Sequence, residues 1–176
     1  MKNGKSKGSR WERNIAKYLT KWLTGFARPY YYWRSPGSGS VATITENNKH
    51  ITGDIVPLKE EARFLTDVFS IELKNGYPKT NFFSFFSGDN FNIEKFWKQC
   101  VDNANDKYPM LIYKKNRKVP IVGITKEIKN KLRIKKLKYI KIKFDSNLPD
   151  VYIFNMQDFF DLVRPEDING VYKDKT

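Results

Sequence analysis

Two apolar periodicities alternate along this chain, and their order limits the fold more than any other feature. Trp11, Ile15, Leu19 and Trp22 recur at spacings of four and three, with Tyr18 and Leu23 beside them. That stripe predicts an amphipathic helix of about fifteen residues. Ser6 or Ser9 is a candidate cap, residues 1–8 read as a loose Lys/Gly/Ser segment, and Gly25 is a stop signal. A second helical stripe runs through Ile93, Phe96, Trp97, Cys100, Val101 and Ala104.

Strand-like runs lie between and after these stripes. Residues 28–34 are aromatic and end before Pro36; residues 53–58 are short and apolar; residues 64–74 carry Val68, Phe69, Ile71 and Leu73. Residues 59–63 read as a charged turn between the last two runs. Residues 109–113 and 119–124 predict two more strands around a basic turn, and residues 152–163 a final strand and short helix. The order is helix, three strands, helix, two strands and a tail. It predicts an α/β fold, a single domain with a central mixed β-sheet flanked by helices. Residues 36–40 (Pro-Gly-Ser-Gly-Ser) are loop chemistry, residues 41–52 are polar without a clear period, and residues 77–90 form an aromatic-rich insertion with Phe82, Phe83, Phe85 and Phe86. No internal repeat or linker stands out.

A chain of 176 residues with 40% hydrophobic content suits one domain with a buried core. No apolar run approaches the roughly 20 residues that span a bilayer. The basic N-terminus is followed by no apolar signal region, so the expected location is the cytoplasm of a bacterial, archaeal or phage-infected cell, with no membrane partner. Cys100 and His50 are the only residues of their types. An internal disulfide is impossible, a structural zinc site lacks ligands, and mechanisms needing two histidines are excluded. His50 reads as an exposed loop residue.

Lys and Arg number 33 against 19 Asp and Glu, giving +14 and a sequence pI near 9.7. This favours a polyanionic partner through counterion release, although a lysine-rich genome would give a similar surface. Residues 126–143, with Lys135, Lys136, Lys138, Lys141 and Lys143, are the candidate phosphate-tracking stretch; lysines also guard strand edges.

Side chains alternate along a strand, so Glu72 and Lys74 share one face while Ile71 and Leu73 share the other. If runs 53–58 and 64–74 pair as a hairpin, Asp54 approaches Glu72. Two carboxylates and a lysine then converge, a set suited to phosphodiester hydrolysis with Mg²⁺, for which Mn²⁺ would substitute. Asp54, Glu72 and the Leu73 carbonyl would be oxygen ligands, and Lys74 would stabilise charge on the phosphate. Asp102/Asp106 and Asp158/Asp161 have helical spacing but nothing converges with them, so they read as solvated faces.

Gly53-Asp54 followed by Glu72-Leu73-Lys74 resembles the PD-(D/E)XK nuclease superfamily. Lys7-Gly8-Ser9-Arg10-Trp11-Glu12-Arg13 is similar to the opening of its Holliday junction resolvase branch, where a Gly precedes a Glu-Arg pair on the first helix. Ser38-Gly39 is similar to that branch's Ser-Gly element. The resemblance spans roughly residues 7–125. It implies a restriction-endonuclease-like core over about 9–125, with a basic C-terminal extension over about 126–176. It implies Asp54 and Glu72 as metal ligands, Lys74 as the catalytic lysine and Glu12 as a further acid reaching the metal. It also implies Ser38 as a phosphate contact and Gln99 as a polar site residue. Gly53 stands where the superfamily usually has proline, and the phenylalanine-rich insertion has no clear counterpart in the compact archaeal resolvases. The implied function is a Mg²⁺-dependent DNA endonuclease acting on branched DNA as a homodimer. A nicking or restriction/repair-type nuclease, or a non-catalytic basic DNA-binding protein of the same fold, are the alternatives.

Overall fold

Helix α1 (Gly4–Thr24) opens the chain and buries Trp11, Ile15, Ala16 and Leu19 against the sheet. The computed structural model describes residues 4–35, 52–76, 92–144 and 147–174. The helix begins earlier than its apolar stripe suggests, so Ser6 and Ser9 lie inside it rather than at its cap. Gly25 ends it at φ +77°, donating its N–H to the Lys21 carbonyl at 2.8 Å. A left-handed residue here is the ordinary glycine solution for a helix C-terminus.

Strand β1 (Tyr32–Arg34) is shorter than the 28–34 run and pairs antiparallel with β2 (Ile55–Pro57), Trp33 opposite Val56. The Thr20 hydroxyl accepts from the N–H groups of Tyr31 and Tyr32 at 3.2 and 3.3 Å, fixing this ribbon to α1.

The expected hairpin between 53–58 and 64–74 does not form. Residues 60–62 make a 3-10 turn that runs into α2 (Arg63–Val68), and only then does β3 (Phe69–Asn75) begin. Phe64, Leu65 and Val68 are buried at helical spacing, whereas Phe69, Ile71 and Leu73 are buried at strand spacing. The apolar run therefore holds two elements. Because a helix intervenes, the chain returns in the same direction, and Gly53 meets Ile71 in a parallel bridge.

That bridge depends on glycine. Gly53 has φ +83°, and a Cβ there would lie 2.6 Å from the Ile71 carbonyl oxygen and 2.7 Å from its nitrogen. The backbones can approach only where no side chain stands between them.

The main sheet runs in the order β3, β4 (Tyr108–Lys114), β5 (Ile121–Thr125), β7 (Val151–Asn155), β6 (Ile140–Ile142). β3 and β4 are parallel and the other pairs antiparallel, which makes the mixed sheet flanked by helices that the residue order predicts. Helix α3 (Asn92–Asp102) joins β3 to β4 and covers one face through Ile93, Phe96, Trp97 and Cys100. α1, α2, α4 (Lys126–Lys131), α5 (Met156–Leu162) and α6 (Pro165–Lys173) contribute to the core on the other face.

The residues beyond 125, expected as an extension, supply two of the five strands. β7 lies between β5 and β6, and Ile168 and Val171 of α6 join the same cluster as Phe64 and Leu65. Their alternating apolar residues (Val151, Ile153 on one face, Tyr152, Phe154 on the other) are buried on both sides, as an interior strand requires. Among the described residues no helix is long and apolar enough to cross a membrane.

The two glycines give a paired test. Gly25→Ala meets nothing within 4 Å and has only its φ of +77° to resist it, so it costs about 1 kcal/mol. Gly53→Ala adds a backbone collision and should cost at least about 2 kcal/mol. Urea midpoints read both; equal shifts would mean that the approach at Ile71 is not what requires glycine.

Candidate active site

The parallel bridge carries Asp54 to the open edge of β3. The Asp54 N–H donates to the Ile71 carbonyl at 2.7 Å, and the Leu73 N–H donates to Asp54 Oδ2 at 2.8 Å. N–H and C=O of one strand residue project to the same side. The Leu73 carbonyl is therefore on the Asp54 side, away from β4. The Ser35 N–H donates to the Asp54 carbonyl at 2.8 Å, so β1 also holds this residue.

Glu72 and Lys74 project to the α3 face, as strand parity requires. Glu72 is only 6% exposed. Its Oε1 receives Lys74 Nζ at 2.6 Å and Gln99 Nε2 at 3.1 Å, and Gln99 Oε1 accepts from Lys74 Nζ at 3.0 Å. The amide thus donates to the acid and accepts from the base, closing a three-membered network. The Lys74 ammonium also lies 5.8 Å from the centre of the Phe96 ring. A buried carboxylate is tolerable only with such partners.

Glu12 approaches from α1 and pairs with Arg34 of β1, Nη1 to Oε2 at 3.4 Å. Its charge reaches Asp54. Burial, then the neighbouring charge of Glu72, raises the Asp54 carboxyl to about 7; Glu12 adds to the rise, while the Leu73 N–H and Lys74 oppose it.

Asp54, Glu72, Lys74 and Gln99 therefore lie around one strand end, and Glu12 is electrostatically coupled to it. Ser38, His50 and the phenylalanine-rich insertion lie outside the described residues. Two neighbours had not been singled out for the site. Arg34 was read only as a strand residue; its nearness to Glu12 depends on a long-range contact with no local signal. Cys100 is buried beneath Glu72, and desolvation raises its thiol, keeping it protonated and inert. Its apolar helical position was the available signal.

Among the described residues no group of three or more His, Cys, Asp and Glu side chains gathers as a metal cage. The donors at the β3 edge are the carboxylates of Asp54 and Glu72 and the Leu73 carbonyl, all oxygen. That set suits Mg²⁺, which takes one or two protein carboxylates and keeps several waters. It does not suit thiolate- or imidazole-seeking ions.

Asp54 has a measurable consequence. Its folded value near 7 lies above the unfolded 3.8. A carboxyl raised on folding contributes stability below its unfolded pKa and loses it as pH rises through the folded one. The metal-free protein should therefore lose on the order of a few kcal/mol between about pH 4 and pH 8 from this residue. Asp54→Asn should flatten that loss and raise the melting temperature of the metal-free protein at pH 8. An unchanged or lower melting temperature there would contradict the proposed burial and crowding of this carboxylate.

Comparison with curated proteins and with solved structures finds no match. The family model described as phage putative PDDEXK endonuclease matches residues 3–170. That match spans α1, the Gly53–Asp54 bridge, β3, α3 and the whole five-stranded sheet, including the strands beyond residue 125. With the acid–acid–lysine cluster standing on that framework, the chain belongs to this family of PD-(D/E)XK endonucleases.

Proposed function

We propose that this protein is a Mg²⁺-dependent DNA endonuclease that hydrolyses phosphodiester bonds at Asp54, Glu72 and Lys74. One observation carries the reading. Residues 18 positions apart in sequence, Asp54 and Glu72, meet at one strand edge because of the Gly53–Ile71 bridge, with Lys74 already fixed beside them.

Asp54, Glu72 and the Leu73 carbonyl would hold the ion. When bound, a divalent cation would polarise the scissile phosphate and make an attacking water more acidic. Asp54 contributes a carboxylate whose orientation is set by two backbone hydrogen bonds, so little reorganisation is needed. Lys74 places a positive charge where negative charge grows on the phosphate oxygens. Gln99 holds the ammonium between itself and Glu72, making it a positioning residue. Glu12 adds negative potential at the same point and orients Arg34.

Branched DNA, cut by a homodimer with one site per strand, is the substrate we favour. Support comes from the N-terminal Gly8/Glu12 element, whose Glu12 is coupled to Asp54. Cutting two symmetric strands requires two such sites.

The test uses a labelled four-way junction, a matched linear duplex, and Mg²⁺ or EDTA. Paired symmetric nicks in the junction, dependent on Mg²⁺, are expected. Equal cutting of the duplex would overturn the branched-DNA reading and leave a nicking or restriction-type enzyme. Asp54→Asn, Glu72→Gln and Lys74→Met should each lower the cutting rate by on the order of 10²–10³ while DNA binding persists. Parent-like behaviour of Asp54→Asn and Glu72→Gln, with binding but no cutting, would sink the enzymatic reading. Gln99→Leu should lower kcat by about tenfold while KM and the melting temperature stay close to the parent's, because Lys74 loses an acceptor. A purely structural role would show instead as a lowered melting temperature.

A further inference from the structure

A second polar feature lies round the corner from the cluster, on the other face of β3. Asn75 directly follows Lys74, and strand alternation turns it toward α1. There an open cleft of about 240 Å³ is walled by Arg10, Trp11 and Asn14 of α1, Asn75 of β3, Lys114 at the end of β4, and Arg117 in the β4–β5 turn. Three cations and three amides face it, counting Asn116. Among the described residues no carboxylate lines it. The larger cleft, about 400 Å³ between α2 and α6, instead sets three carboxylates, Glu60, Glu61 and Glu166, against one cation, Arg63, a balance that disfavours a polyanion.

The basic cleft is also built rather than diffuse. Lys114 Nζ lies 5.4 Å from the centre of the Trp11 ring, and the Lys114 carbonyl accepts from the Gly76 N–H at 2.9 Å. Trp11 is 7% exposed, and its indole N–H finds no acceptor among the described residues. The cleft therefore presents three cations and the NH₂ groups of three amides, which is the chemistry an anion completes. The Lys126–143 stretch has a weaker claim. Lys141 sits on β6, the far edge of the sheet, four strand spacings or roughly 19 Å from β3. Its ammonium is already paired with Asp150 at 2.7 Å.

We propose that the cleft of Arg10, Lys114 and Arg117 binds a second phosphodiester of the DNA strand whose scissile phosphate is presented to Asp54 and Glu72. This inference rests on the nuclease reading and adds a positioning site to it. Lys74 and Asn75 are consecutive residues of β3, and Asn75 pairs with Lys114, so the cluster and the cleft lie at the same end of this strand, on its two faces. A strand held there would be oriented across the β3 edge before cleavage.

The test is a salt series on binding of a labelled linear duplex by the full chain in EDTA, so that no cutting intervenes. Arg10 and Arg117 are exposed, and Arg117 has φ +59°, which asparagine tolerates. Arg10→Gln/Arg117→Asn should therefore fold. Its log K against log salt should be shallower by about 1.8, which at about 0.1 M salt is about 60-fold weaker binding. Lys136→Gln/Lys138→Gln removes the same charge elsewhere and should change both much less. An unchanged slope in the first variant, or an equal loss in the second, overturns the proposal. Inorganic phosphate at matched ionic strength should not displace the DNA. Displacement that the first variant abolishes would make the cleft a free-phosphate site and also overturn it. Cutting of the same duplex and of a four-way junction by the parent in Mg²⁺ is scored separately. A parent that binds with the expected slope but never cuts would sink the nuclease reading and leave the cleft's affinity for DNA standing.

Discussion

The backbone of Gly53 and Asp54 lies against the edge of β3, and the rest of the site depends on that contact. β3 is the outer strand of the five-stranded sheet, with β4 on one side only. An edge strand exposes N–H and C=O groups that invite unwanted pairing. Here Asp54 takes two of them: its N–H bonds the Ile71 carbonyl and its carboxylate accepts from the Leu73 N–H. The same two bonds protect the edge and aim a carboxylate beside Glu72. Proline, usual before this aspartate in the superfamily, would reach the position by other means. Glycine reaches it through a positive φ and a missing Cβ.

Much of this arrangement was legible because it follows from local periods. The α1 stripe, the α3 stripe, the shared face of Glu72 and Lys74, and the β4–β5 pair all follow from spacings of 3.6 or 2 residues. What was not legible depends on context. Phe64, Leu65, Val68, Phe69, Ile71 and Leu73 fit a long buried strand as well as a helix followed by a strand, and only tertiary packing separates them. Mistaking α2 for strand made a hairpin look natural, where the chain makes a crossover and a parallel bridge. The insertion of β7 between β5 and β6 joins residues about 30 apart, and no local pattern announces it. Asp54 and Glu72 thus come together through a parallel bridge after a crossover, not through a hairpin.

The cost of the site is visible in its charges. Glu72 and Glu12 each oppose ionisation of Asp54 in a largely buried place, and a fold selected for stability alone would have little reason to gather them. The network around Glu72 offsets part of this. Its oxygen is shared by an ammonium and an amide, and the amide is oriented by a helix whose buried face is Phe96, Trp97 and Cys100.

Helix α3 therefore has two roles that cannot be separated. Its apolar face fills the second core, and Trp97 donates its indole N–H to the Pro149 carbonyl at 2.8 Å, tying the helix to the segment before β7. Gln99 sits between Phe96 and Cys100 in that same register. A one-residue slip of the helix would rotate Gln99 by about 100° and break both of its contacts. The position of the Lys74 ammonium at β3 is therefore controlled by packing that extends across the sheet to its last interior strand. This is how β7, beyond the expected nuclease core, becomes part of what holds the candidate site in place.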